Sequence, residues 1–146
     1  MALDLETREQ LIDTVRRFVA ERLRPIEEGL SEAELTERYL AEVDAAIADF
    51  AADGVPFAGM IVCPLFANEG LPDVPSGFVR GAIERVRAAG GVAILDEVQA
   101  GLGRTGAWWH YQQLGVIPDI VTSGKPMGNG HPVAAVVARP DVMAAF

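Results

Sequence analysis

The sequence predicts an α/β fold in which a mostly parallel sheet carries flanking helices, and three observations lead there. Short apolar runs at residues 60–66, 92–95 and 120–122 have the length of buried strands. The stretches before and between them include runs that repeat their apolar residues every three or four positions, as amphipathic helices do. Glycine, proline and Asp/Asn clusters mark each change of period. Strands alternating with helices at this spacing call for parallel pairing, with the helices on the faces of the sheet.

Taken in order, residues 5–24 place Leu11, Ile12, Val15, Phe18, Val19 and Leu23 on one helical face, with Asp4 as cap and Pro25 as stop. A second helix opens at Ser31, where Ser31 and Glu34 have capping-box spacing and Leu30 and Leu35 that of a hydrophobic staple. Its apolar stripe, Tyr39, Leu40, Val43, Ile47 and Phe50, leads to Asp53-Gly54, where the glycine allows a left-handed end. Residues 60–66 read as a strand buried on both faces, followed by a loop from Asn68 to Pro72. Pro75 suits a helix start; Phe78, Val79, Ala82, Ile83 and Val86 form the buried face, and Gly90-Gly91 ends it. Then come a strand at 92–95, a loop at 96–106, a short helix around 108–114, a strand at 120–122 and a glycine-rich turn. The last strand, 133–138, follows too tight a connection for a helical crossover and is expected to run antiparallel to its predecessor. A helix begins after Pro140.

The 146 residues, half of them apolar, can bury the core of one ordinary domain. A formal net charge of −9 without a basic cluster argues against a nucleic-acid partner. Cys63 is the only cysteine, so neither an intrachain disulfide nor a multi-cysteine metal site is possible, and it reads as a small buried hydrophobe. Asp4 and Glu6 and the lack of a long apolar core speak against a signal peptide or membrane span, which leaves a cytoplasmic location as the expectation.

The chemistry gathers between residues 92 and 132. Lys125 is the only lysine, against eleven arginines, and stands between the strand at 120–122 and the turn Met127-Gly128-Asn129-Gly130. Lysine can form a Schiff base with a carbonyl cofactor, and a carboxylate can keep a pyridine nitrogen protonated, which points to pyridoxal phosphate held by Lys125 and Asp96. Ligands of open parallel sheets bind beyond the carboxyl ends of the strands, where both residues fall. The bland alternatives are a loop carboxylate and a solvated lysine. A competing motif is Gly101-Leu102-Gly103-Arg104-Thr105-Gly106, which has the glycine spacing of a dinucleotide loop with Asp119 downstream, although its first glycine comes several residues after the strand end. Trp108, Trp109, His110 and Tyr111 read as packing and interface residues rather than a substrate surface. His110 and His131 lack the acidic neighbours of a metal site, and neither Ser123 nor Cys63 is set in a nucleophile pattern.

The run Ile94-Leu95-Asp96-Glu97-Val98-Gln99, the stretch Gly101 to Gly106, Trp109, Pro118-Asp119-Ile120-Val121 and Gly124-Lys125-Pro126-Met127-Gly128-Asn129-Gly130-His131-Pro132 occur in order at fixed spacings. Together they closely resemble the class III, or omega-type, aminotransferases of the fold-type I pyridoxal-phosphate superfamily, on the branch of alanine–glyoxylate aminotransferase-like proteins and phosphoethanolamine phospho-lyases. The resemblance implies that residues 29–146 form part of a large, cofactor-binding domain. It implies that Lys125 forms the Schiff base with the cofactor and then moves the proton between substrate carbon and cofactor carbon. Asp96 would pair with the pyridine nitrogen, Val98 would pack on the ring face, and Gln99 would lie near the phenolic oxygen. Transamination between an amino donor and a 2-oxo acid, in a homodimer, is the implied activity.

Two departures shape the expectation for this chain. Family members run to several hundred residues, and they hold the cofactor phosphate with a glycine-serine turn upstream of the aspartate and a threonine from the partner subunit. Neither is visible here, so weak or no turnover is expected of the isolated chain. Residues 1–28, by contrast, resemble the first helix of acyl-CoA dehydrogenases and read as a separate helical segment. The alternative function is a non-catalytic remnant that can only associate with full-length subunits.

Overall fold

The computed structural model describes residues 29–145, so the helix expected over residues 5–24 lies outside the described residues. The chain falls into two units, Met1–Leu35 and Thr36–Phe146, and the sheet belongs to the second. In chain order the elements are α1 (Glu32–Ala52), β1 (Gly59–Val62), α2 (Phe78–Ala88), β2 (Val92–Asp96), α3 (Tyr111–Leu114), β3 (Ile120–Ser123), β4 (Ala135–Ala138) and α4 (Pro140–Met143).

The start of α1 is the capping box read from the sequence. Ser31 N–H and Oγ–H donate to Glu34 Oε2 at 2.8 and 2.7 Å, and Glu34 N–H returns a bond to Ser31 Oγ at 3.3 Å. The helix ends at Gly54, whose φ of +69° lets Gly54 N–H reach Ala51 O and Val55 N–H reach Phe50 O, a Schellman arrangement. Of its apolar stripe only Leu40 is fully buried, its methyl groups lying against Gly81 of α2. Tyr39 meets Phe78 edge-on at 5.7 Å, and Arg85 bonds Asp44 at 2.9 Å across the same pair of helices. Phe50 stays exposed at the rim of an apolar groove of about 490 Å³ lined by Val43, Ile47, Phe57 and Met60.

The four strands stand in chain order across one sheet, with β1, β2 and β3 parallel and β4 antiparallel to β3. The antiparallel return agrees with the short connection from Lys125. Crossovers that keep one hand and one direction leave their helices on the same face. The core therefore forms on that side, from Val79 and Ile83 of α2, Ala93 and Leu95 of β2 and Val116, with Tyr111 and Leu114 of α3 packed against it. Full burial of a valine, leucine or isoleucine side chain such as those of Val79, Leu95 and Ile83 contributes about 1.5–3 kcal/mol.

The opposite face is only partly covered by the described residues. Ile61, Ile94 and Ile120 pair across β1, β2 and β3, and Ile61 is 63% exposed. This corrects the expectation of a strand at 60–66 buried on both faces. The strand β1 lies at the sheet edge and covers only four residues, because Pro64 has no N–H to donate and the chain turns at once, with Phe66 N–H bonded to Cys63 O and Phe66 itself at a φ of +49°. Cys63 is accordingly half-buried just beyond the strand rather than in the core. The short helix expected over 108–114 shrinks to Tyr111–Leu114.

Candidate active site

Asp96 is the last residue of β2 and is aligned with Thr122 of β3. It shares the partly covered face with Ile94, two positions earlier. Its Oδ1 accepts two bonds of 3.0 Å, from Thr122 Oγ and from Val98 N–H, while no described residue bonds its Oδ2. The carboxyl group is thus oriented from one side and half-buried, with its second oxygen available to a ligand.

Lys125 opens a single 3₁₀ turn, Lys125–Gly128, directly after β3 and Gly124. Its φ of +41° is left-handed, a conformation that costs a non-glycine residue about 1 kcal/mol or more and persists only where its surroundings impose it. The turn closes through Asn129 and Gly130, both also at positive φ. Lys125 Nζ is exposed and donates to Gln99 Oε1. A Cβ placed on buried Gly124 would lie 3.7 Å from both Val98 methyl groups, so Val98 borders the turn that carries the lysine. Lys125, Gln99, Val98 and Asp96 are therefore all at the carboxyl edge of β2 and β3, where an open parallel sheet takes its ligands.

The loop between Asp96 and α3 is held from within. Leu102 N–H and Gly103 N–H both donate to Trp108 O, at 2.8 and 3.3 Å, and Gly106 N–H donates to Gly103 O at 3.1 Å. These amides are turned inward and do not form a cradle for a pyrophosphate. Asp119, the acid a dinucleotide reading would use, lies at the amino end of β3 and is occupied by Arg87, Arg139 and Ala93 N–H. The dinucleotide alternative therefore lacks both of its parts. Trp109 packs over Gly101, where a side chain would meet the indole at 2.9 Å, whereas Trp108 is 65% exposed.

Sequence reasoning missed two residues. Thr122 orients Asp96, and aligning the ends of the second and third strands could have revealed it. Glu97 is 1% exposed and bonded to the start of α3, a role its place next to Asp96 did not announce.

The family profile described as aminotransferase class-III matches residues 11–146. The chain belongs to the class III aminotransferases. Enzymes of this family depend on pyridoxal phosphate. Among curated relatives, an alanine–glyoxylate aminotransferase 2-like protein of Drosophila melanogaster is 41% identical over 114 residues, which are 77% of this chain and 21% of that one. The mitochondrial alanine–glyoxylate aminotransferase 2 of Homo sapiens is 48% identical over 86 residues, 58% of this chain and 17% of that one. Among solved structures, a phospholyase from Arthrobacter in complex with phosphoethanolamine superposes with a TM-score of 0.74 at 48% identity, covering 81% of this chain and 29% of that chain. This class III chain thus spans about a fifth of the length of the curated relatives it matches. Its mostly parallel sheet with flanking helices is part of the fold-type I architecture.

Proposed function

We propose that this chain supplies Lys125 and Asp96 to a pyridoxal-phosphate-dependent transfer of an amino group between an amino donor and a 2-oxo acid. The observation that carries the reading is that the chain's only lysine stands at the same sheet edge as a carboxyl group whose Oδ1 accepts two hydrogen bonds and whose Oδ2 has no partner among the described residues.

The residues fit the ring end of the cofactor. When bound, pyridoxal phosphate supplies an aldehyde for an amine and a protonated ring that takes up the charge left by proton loss beside nitrogen. Asp96 Oδ2 would hold the proton on the pyridine nitrogen, its direction fixed by Thr122 and Val98 N–H. Val98 would cover one ring face, and Gln99 would lie by the phenolic oxygen. Lys125 Nζ would be the amine that holds the cofactor by its aldehyde and the base that carries a proton between substrate and cofactor carbons.

The same reading treats residues 29–146 as part of a large domain, and it places the whole protein in a cytoplasmic homodimer. Among the described residues no helix is long and apolar enough to cross a membrane. Likeness to a phospholyase keeps elimination open beside transamination. The exposed Val136 and Val137 of β4 and Ile61 of β1 also suit association with another subunit, which a non-catalytic remnant would use.

Mixing the protein with pyridoxal phosphate tests the proposal. An absorption band of the bound cofactor is expected in the wild type and absent in Lys125→Ala; a band that survives in the variant would remove Lys125 from the site. Incubation with phosphoethanolamine separates outcomes, since elimination releases inorganic phosphate and transamination does not.

A further inference from the structure

We infer that Glu97 is a positioning residue, fixing the turn that bears Val98 and Gln99 so that Gln99 meets the Lys125 amine; the inference rests on the reading of Lys125 given above. Four bonds converge on this one residue. Its carboxyl oxygens accept from His110 N–H at 3.0 Å and Tyr111 N–H at 2.8 Å, the amides of the cap and of the first residue of α3. Its own N–H donates to Thr122 O at 2.9 Å, and its carbonyl accepts from Gly101 N–H at 2.8 Å. Glu97 thereby ties the end of β2 to β3, closes the five-residue turn from Glu97 to Gly101, and anchors that turn to α3.

Within this turn lie the two residues that border Gly124 and Lys125. Trp109, next to the anchored amides, packs over Gly101, where an added Cβ would meet the indole at 2.9 Å. A four-residue helix could be capped at far lower cost by a serine or aspartate at its own start. A carboxyl group 1% exposed, with no cationic partner among the described residues, is an expensive substitute. Its distinguishing feature is reach, because a short cap on α3 would leave the Val98–Gln99 turn untethered.

Lys125 is the only ε-amine in the chain, so its acylation by a small amine-selective reagent, mapped by mass spectrometry, reads the Gln99 contact without any cofactor. Gln99→Ala removes the acceptor directly. Glu97→Gln keeps the side-chain shape but turns an NH₂ group toward one of the two amide donors. The expected result is that both variants raise the Lys125 acylation rate about threefold to tenfold at fixed pH, the equivalent of one lost hydrogen bond, and displace its pH profile in the same direction. Gly54→Ala, remote at the end of α1, serves as the control for general destabilisation and should leave the profile in place. Should Glu97→Gln fail to fold, His110→Pro removes one donor from the other side, since the His110 φ of −65° suits proline, and the same displacement is expected. A folded Glu97 or His110 variant whose profile superimposes on the wild type would overturn the inference, as would an unchanged Gln99→Ala. Failure of cofactor binding would leave this readout intact and count only against the reading of Lys125.

Discussion

At the scale of single residues, the placement of Asp96 and Lys125 at the carboxyl ends of β2 and β3 was legible, because each follows a short apolar run. A lone lysine in a glycine-framed turn is a signal that needs no tertiary knowledge. Thr122 was not legible in the same way. A threonine in an apolar run is an ordinary strand former, and only the β2–β3 register makes it the donor to Asp96 Oδ1. Thr122→Val keeps the shape and the strand preference but removes that donor, so it should weaken cofactor retention about fivefold to tenfold, one hydrogen bond's worth, without changing the fold. Equilibrium dialysis with pyridoxal phosphate checks this; equal affinity would mean that Val98 N–H alone orients the carboxyl group. Glu97 was hidden for the opposite reason. Its neighbour Asp96 already accounted for an acidic residue at the strand end, and nothing local shows that the next carboxyl group reaches across the loop to α3.

At the scale of elements, boundaries set by side-chain chemistry were readable and those set by tertiary position were not. The Ser31–Glu34 capping box and the Gly54 stop of α1 stand where the sequence put them, because both are local hydrogen-bond arrangements. The strand β1 was overextended because a continuous apolar run looks the same at the centre of a sheet and at its edge, and only pairing distinguishes them. Close approach at that edge has its own requirement. A Cβ on Gly59 would lie 2.3 Å from Val92 O, a backbone atom that cannot swing aside. Gly59→Ala is therefore expected to lower stability by about 1–3 kcal/mol, read as a drop in the urea midpoint. An unchanged midpoint would show that β1 can separate from β2 at no cost.

At the scale of the whole molecule, the alternation of strands and helices indicated the fold class, while the clamp that locks the amino ends of the strands escaped notice. Asp119, 3% exposed, accepts two bonds from Arg87, one from Arg139 at 2.7 Å and one from Ala93 N–H at 2.8 Å, joining α2, β2, β3 and the end of β4. Burial alone would raise its pKa, but the Arg87 bond, the Ala93 amide and the charges of Arg87 and Arg139 together hold it below the ordinary 3.8. A depressed native value means the clamp stabilises fully above the ordinary carboxylate range and is lost as pH falls through the lowered value. Because both guanidinium groups are partly exposed, most of the effect belongs to the hydrogen bonds rather than to Coulomb attraction. Asp119→Asn should cost about 1–3 kcal/mol at neutral pH and flatten the acid limb of the melting-temperature profile; a profile parallel to the wild type would contradict this. The clamp is at the amino edge, and the chemistry proposed here is at the carboxyl edge, so the two are separable by mutation. The most direct measurement of the central claim is borohydride reduction of the protein with pyridoxal phosphate, followed by peptide mapping. The predicted result is a pyridoxyl adduct on Lys125 that Asp96→Ala strongly diminishes, and an adduct confined to the amino terminus, or on Lys125 but indifferent to Asp96, would contradict it.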